Sequence, residues 1–279
     1  MARAIAREAA LIKSKVTAGL QKEAEQQVSP LSAQTIARSL FSAGQHVWLA
    51  CVSEPQRLVS PFDVESYSRG RKLGEGVWAV VSHGWRETPP WGIEEVAIKE
   101  LKEDKQGAEE QRLQMELECR VHRFVYQLSQ PLSIARCGQA AIQFHARHCA
   151  KVPRLLGYEE GTAVIDFVEG VTLEAHLRRD YKNVQRSLDT IEVASLRRLC
   201  DLVLQKVCNL LLLGRRAGFS HRDLNDGNVM LGFKRGVDEP VASLDDVDVW
   251  LIDFGKSMAT IDGEEVRALR GGEGGLSFA

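Results

Sequence analysis

Apolar residues recur at three- and four-residue steps at Ile5, Ala9, Ile12, Val16 and Leu20, the spacing that lines one face of a helix. Arg3, Arg7, Lys13 and Lys15 lie among them, partly countered by Glu8, Glu23 and Glu25. A helix packed on the body of the protein fits this better than a targeting or membrane-surface helix, because those acids weaken the basic face. Ser29-Pro30 breaks the pattern, Leu31 to Phe41 predicts a second short helix, and Val47 to Val52 a buried strand or helix turn. Residues 1–60 therefore read as a helical N-terminal extension, with Ser60-Pro61 as the linker into the main domain. Beyond that linker the period shortens. Leu73 to Val81 and Val96-Ala97-Ile98-Lys99 predict strands joined by a turn at Thr88 to Gly92. Gln106 to Leu128 predicts a long helix with Leu113, Leu117, Val121, Phe124 and Leu128 on one face. Val152 to Tyr158 and Ala163 to Asp166 predict two more strands, and Leu173 to Leu177 a short helix. Ile191 to Leu213 predicts a buried central helix that Gly214 and Gly218 would end. Val229 to Leu231 and Val249 to Ile252 are short apolar strands.

The 279 residues suffice for two modest lobes with a sizeable core. A hydrophobic content of 44% and a charged content of 27% fit a globular chain, and a net charge of -2 supplies no global basic field for nucleic acid. The longest uniformly apolar run, Val47 to Val52, is too short to span a bilayer, and no secretory signal opens the chain. Six scattered cysteines without a Cys-x-x-Cys pair read as reduced thiols of a cytoplasmic or otherwise intracellular protein. His145, His148 and Cys149 cluster in an irregular stretch, but zinc wants a further ligand, so a loop is the better reading.

The chemistry concentrates between His221 and Gly255. His221-Arg222-Asp223-Leu224-Asn225-Asp226-Gly227-Asn228 and, downstream, Asp253-Phe254-Gly255 each sit beside a short apolar strand. Asp223 could accept a proton, while Asn228 and Asp253 offer the oxygen ligands that hard cations prefer. Taken singly, each fragment could equally be a turn. Upstream, Gly74-Glu75-Gly76 could let backbone approach a phosphate, or form a plain hairpin. Lys99 closes a strand beside that loop, and Glu116 borders the apolar helix face, with Glu110 and Glu118 as competitors.

These motifs in this order, over roughly residues 65 to 257, resemble the protein kinase superfamily. The resemblance implies an α+β, two-lobe protein kinase-like fold. Residues 61–168 would form a small antiparallel-sheet N-lobe, and residues 169–279 a mainly helical, truncated C-lobe with a flexible glycine-rich tail. It implies ATP and Mg²⁺: Asp223 as base, Asn228 and Asp253 on magnesium, and Lys99 on the α- and β-phosphates, oriented by Glu116. Leu73, Gly74, Glu75, Gly76, Val81 and Ala97 would enclose the nucleotide. Backbone groups of Asp166 and Val168 would hold adenine, with Ile165 behind the ring. Ala79 stands where a third glycine often sits. Asn225 stands where Ser/Thr protein kinases usually carry a lysine that steadies the transferring phosphate. The loop is closer to the D-L-H-x-G-N loop of atypical and small-molecule kinases. Only residues 256 to 279 follow Gly255, with no A-P-E segment. Arg222 could pair with a phosphorylated Ser257 or Thr260, but Asp262, Glu264 and Glu265 would repel the phosphate. The implied function is ATP-dependent phosphoryl transfer to a protein hydroxyl, with a protein substrate or partner. The alternatives are a small-molecule kinase of aminoglycoside- or choline-kinase type and a pseudokinase-type ATP-binding regulatory module.

Overall fold

The computed structural model describes residues 63–88, 90, 92–102, 107–130, 147–179, 190–234 and 245–268. The expected N-terminal helices, the Val47 to Val52 segment, the Ser60-Pro61 linker, His145 and the glycine-rich tail lie outside them.

The fold is α+β with antiparallel sheets. Strands β1 (Ser68–Glu75), β2 (Ala79–Thr88), β3 (Gly92–Leu101), β4 (Leu155–Glu159) and β5 (Thr162–Asp166) form a sheet in the order β1-β2-β3-β5-β4. Its two faces are set by the alternation along β3. Val96 and Ile98 point to one side, where they pack with Val164 and with Val64 and Tyr67 of a 3-10 turn (Val64–Ser66). Ala97 and Lys99 point to the other, beside their register partners Ile165 and Ala163. There Ala79, Leu155 and Ala163 pack against Met115 and Cys119 of helix α1 (Ala108–Ser129).

Helix α1 belongs to two cores. Its first half covers the sheet, while Val121, Phe124, Val125 and Leu128 enter a larger core with helix α3 (Thr190–Arg216). That double covering corrects the expected apolar stripe: Leu113 is 48% exposed, and the buried face starts at Met115. Helix α2 (residues 173–179) follows β6 (Val171–Thr172), which pairs with β7 (Val229–Phe233), itself paired with β8 (Val247–Leu251). The large core includes Leu196, Leu199, Val203, Val207 and Leu210 of α3, facing Val229, Leu231, Val249 and Leu251.

Only one of the two expected glycines ends α3. Gly218 is left-handed at φ 81°, with Gly218 N donating to Arg215 O and Phe219 N to Gly214 O, the two bonds of a Schellman cap. Gly214 lies inside the helix, where a Cβ would stand 2.5 Å from the Phe219 ring. The chain after Gly255 folds into the hairpin β9 (Met258–Ile261) and β10 (Glu264–Arg267), an element not predicted from the sequence, turning on Asp262 and Gly263 at φ 53° and 83°. Two adjacent positive φ values suit a two-residue turn that matches strand twist. The hairpin packs against α1, with Ala259 and Val266 in the large core. Among the described residues no helix is long and apolar enough to cross a membrane.

The link from β5 to β6 passes β7 at very short range: a Cβ on Gly170 would lie 2.2 Å from Leu231 O. Gly170→Ala is expected to destabilise the protein by about 1–3 kcal/mol, because backbone must move to admit the methyl group. Urea midpoints of variant and wild type measure it, and equal midpoints would show that the approach is looser.

Candidate active site

Lys99 leaves β3 toward the space between the sheet and the Asp253 segment. Its Nζ lies 2.5 Å from Glu118 Oε1 on α1 and 3.0 Å from Asp253 Oδ1. Lys99 is 7% exposed and Glu118 is 5% exposed, so the ammonium is held by charge partners and not by water. Glu116, the expected partner, is exposed, as is Glu110. Residues two apart on a helix point to nearly opposite sides, so a register error of one half-turn exchanges a buried partner for a solvated one. Glu118 takes the place assigned to Glu116.

The loop after α3 is held by unusual backbone. Asp223 N donates to His221 O at 2.8 Å across Arg222, whose φ is 61°. Three-residue turns with a positive central φ are rare and strained. The Asp223 carbonyl then accepts from Asn225 Nδ2 at 3.0 Å and Asn228 Nδ2 at 2.8 Å, while Asn225 Oδ1 accepts from Gly227 N at 2.9 Å. Asn225 thus spends both ends of its side chain on the loop. Asp223 is left with a partly exposed carboxylate, whose Oδ1 meets Lys256 Nζ at 3.1 Å.

Asp253 is the second left-handed residue here, at φ 57°. Asn228 precedes β7 and Asp253 follows β8, and Ile252 N donates to Asn228 O at 3.0 Å, which fixes the two side by side. Beneath them Phe254 is fully buried, with its ring 4.9 Å from His122 and 5.4 Å from His221. His122 Nε2 donates to Pro153 O at 2.8 Å, and burial pushes its imidazole down to about 4, which the hydrogen bond only partly opposes. Burial also lowers His221, against the pull of Asp253. Both rings are neutral packing elements at neutral pH.

The residues fit a magnesium nucleotide on three observations. Gly74 and Gly76 have no positive φ, and a Cβ would meet nothing within 4 Å at Gly74 and only Ala79 O at 3.9 Å at Gly76. The fold itself therefore does not demand glycine there, and the missing side chains leave open space around the turn. Next to Lys99, the apolar Val81, Ala97 and Ile165 remain half-buried on its face of the sheet, and Leu73 is 38% exposed. Asn228 gives its amide nitrogen to Asp223 O, and its backbone is tied to Ile252, the residue before Asp253. One carboxylate and one amide oxygen suit Mg²⁺, which completes its shell with phosphates and water. Among the described residues no group of three or more His, Cys, Asp or Glu side chains could hold a metal by itself.

Elsewhere the expected residues sit at the edges. Glu75 is tied to Lys102 at 2.6 Å and to Lys72, which together hold its carboxyl down at about 2. Asp166 N donates to Arg154 O at 2.9 Å, and its carboxylate meets Arg154 Nη2 at 3.2 Å, so the ends of β4 and β5 are locked together. Val168 is buried just beyond. Ser257 is fully buried, donating to His221 O at 3.0 Å, which removes it as a phosphate acceptor, whereas Thr260 is exposed on β9. Two residues of the site had no sequence signal strong enough to single them out: His122, one turn after Glu118, and Lys256, directly after Gly255. No family model matches the sequence, and no curated protein matches it significantly.

Removing one member of a buried pair leaves an uncompensated charge. Glu118→Ala is expected to cost about 3–5 kcal/mol of stability, and Glu116→Ala to stay within about 0.5 kcal/mol; denaturant melts of the two variants decide the assignment.

The histidines set an acid limit. Above about pH 6.5 His122 is neutral in both the folded and the unfolded chain. As pH falls from there toward about 4, only the unfolded chain takes up the proton, so stability drops. This one ring accounts for up to about 3 kcal/mol, and His221 acts in the same direction. Melting temperatures between pH 7 and 4 should fall more steeply for wild type than for His122→Gln, and equal slopes would clear His122.

Proposed function

We propose that this chain is a two-lobed, protein kinase-like phosphotransferase that moves the γ-phosphoryl group of Mg-ATP to a protein hydroxyl. The observation that carries the reading is the contact of Lys99 with Glu118 and Asp253 together. One buried cation that meets both the helix glutamate and the Asp253 carboxylate supports a phosphate site there. Lys99 would hold the α- and β-phosphates, and Val81, Ala97, Ile165 and Leu73 would cover the base. Asn228 and Asp253 would hold magnesium, whose chemistry is to neutralise charge on the phosphate oxygens.

Asp223 would take the proton of the acceptor hydroxyl. As that oxygen bonds to phosphorus, the bond from phosphorus to the β-phosphate oxygen breaks and ADP leaves. Catalysis of this kind is mostly positioning and charge stabilisation, which suits side chains as tightly held as these.

A small-molecule acceptor is the second reading. It is favoured by the hairpin of β9 and β10, which starts three residues after Gly255 and is pinned to Ser220 and α1, so this stretch is not an open strand for a peptide. An intracellular setting agrees with the free thiols Cys119 and Cys149.

Millimolar Mg-ATP should raise the melting temperature, since only the folded chain has the cleft. Asp223→Asn should lower phosphoryl transfer by about a hundredfold or more while ATP affinity stays close to wild type. A well-folded sample with no thermal shift, or a variant with wild-type turnover, would refute the assignment.

A further inference from the structure

We infer that Lys256 contacts the transferring γ-phosphoryl group and supplies positive charge beside Asp223. This rests on the phosphotransferase reading and adds a residue to it. The charge balance of the site calls for such a group. Lys99 is already balanced by Glu118 and Asp253, and the Asp223 carboxylate adds another negative charge a short way off. A magnesium-bound triphosphate still carries net negative charge and deepens the excess, and the transfer step spreads charge onto the three outer oxygens of the γ-phosphorus. A cation is needed beside Asp223, and Lys256 stands there, 3.1 Å from Asp223 Oδ1. Asn225 cannot substitute. It is uncharged, and its amide is fixed at both ends to Asp223 O and Gly227 N.

The backbone around Lys256 is rigid while its side chain is not. Ser257 N donates to Phe254 O at 2.9 Å, Ser257 Oγ to His221 O at 3.0 Å, and Ala268 N to Ser257 O at 2.8 Å. Ser220 and Met258 exchange two backbone hydrogen bonds of 2.8 Å immediately afterwards. Gly255 and Ser257 are buried, so the turn offers solvent only the lysine between them, whose side chain is 50% exposed. An ion pair that open is weak, so the ammonium can leave or share Asp223 at little cost when phosphate arrives. Its three donors on a flexible stem suit a point contact with a moving phosphoryl group. Lys256 loses no proton in the step. It donates hydrogen bonds to the non-bridging oxygens while Asp223 takes the hydroxyl proton and the bond to ADP breaks.

The test compares wild type, Lys256→Ala and Lys256→Arg by calorimetry with Mg-ATP and Mg-ADP, by Mg-ATP hydrolysis with water as acceptor, and by melting temperature. Lys256→Ala should keep the melting temperature and ADP affinity, weaken ATP binding roughly tenfold, and slow hydrolysis about a hundredfold. Lys256→Arg should fall between. Equal loss of ATP and ADP affinity, or none, would overturn the proposal even where hydrolysis is too slow to read. Faster hydrolysis by Lys256→Ala would also overturn it, showing that the lysine only masks Asp223. Wild type binding neither nucleotide would remove the underlying reading and this proposal with it. Normal wild-type ATP binding with an indifferent Lys256→Ala removes this proposal alone.

Discussion

A buried ammonium cannot be left without partners, and Lys99 finds them on two separate pieces of the chain. Glu118 comes from the helix that covers the sheet, and Asp253 from the turn that follows β8. Separating either piece would strand charge in a poorly solvated space at a cost of several kcal/mol. The triad therefore ties the sheet, α1 and the Asp253 segment into one arrangement, although among the described residues no single apolar core spans all three. Helix α1 can act this way because it is shared: its first half lies on the sheet and its second half lies among α3, β9 and β10. A shift of that helix would disturb an ion pair at one end and close packing at the other.

Two of the four left-handed non-glycine residues among the described residues lie in the same place. Arg222 and Asp253 both hold left-handed backbone, which an arginine seldom adopts. Such residues persist when their surroundings fix them more than once. Here the buried Ser257 hydroxyl holds His221 O, Asn228 holds Asp223 O and Ile252 N, and the Phe254 ring lies between His122 and His221. The consequence is a set of carboxylates on stiff supports, with one cation held deep at Lys99 and a second free to move at Lys256. In the proposed reaction the first would keep the nucleotide in register, and the second would follow the charge as it shifts.

The hairpin after Gly255 belongs to this system as well. By pairing Met258 with Ser220 and placing Ala259 and Val266 in the large core, it braces the turn that carries Asp253 and Lys256. Ala259 and Val266 are the buried side chains of its two strands, while Thr260, Glu264, Glu265 and Arg267 face solvent.

The sequence alone determined what depends on local pattern: four of the five strands of the large sheet, the two long helices within a few residues of their ends, the glycine turn, and the polar groups at His221 to Asn228 and Asp253. Period, apolar runs and turn residues are properties of neighbours along the chain. Only the tertiary structure decided which glutamate meets Lys99, because Glu116 and Glu118 are equivalent until α1 is rotated onto the sheet. It also decided that Leu113 faces solvent, that Gly214 makes room for Phe219 while Gly218 ends the helix, and that Asp262-Gly263 closes a hairpin packed on α1. The pairing of Lys256 with Asp223 spans 33 positions, and neither residue carries a local sign of the other. Each of these outcomes turns on which surfaces meet across long separations, and hydrophobic periodicity fixes that a face is buried without fixing what it is buried against.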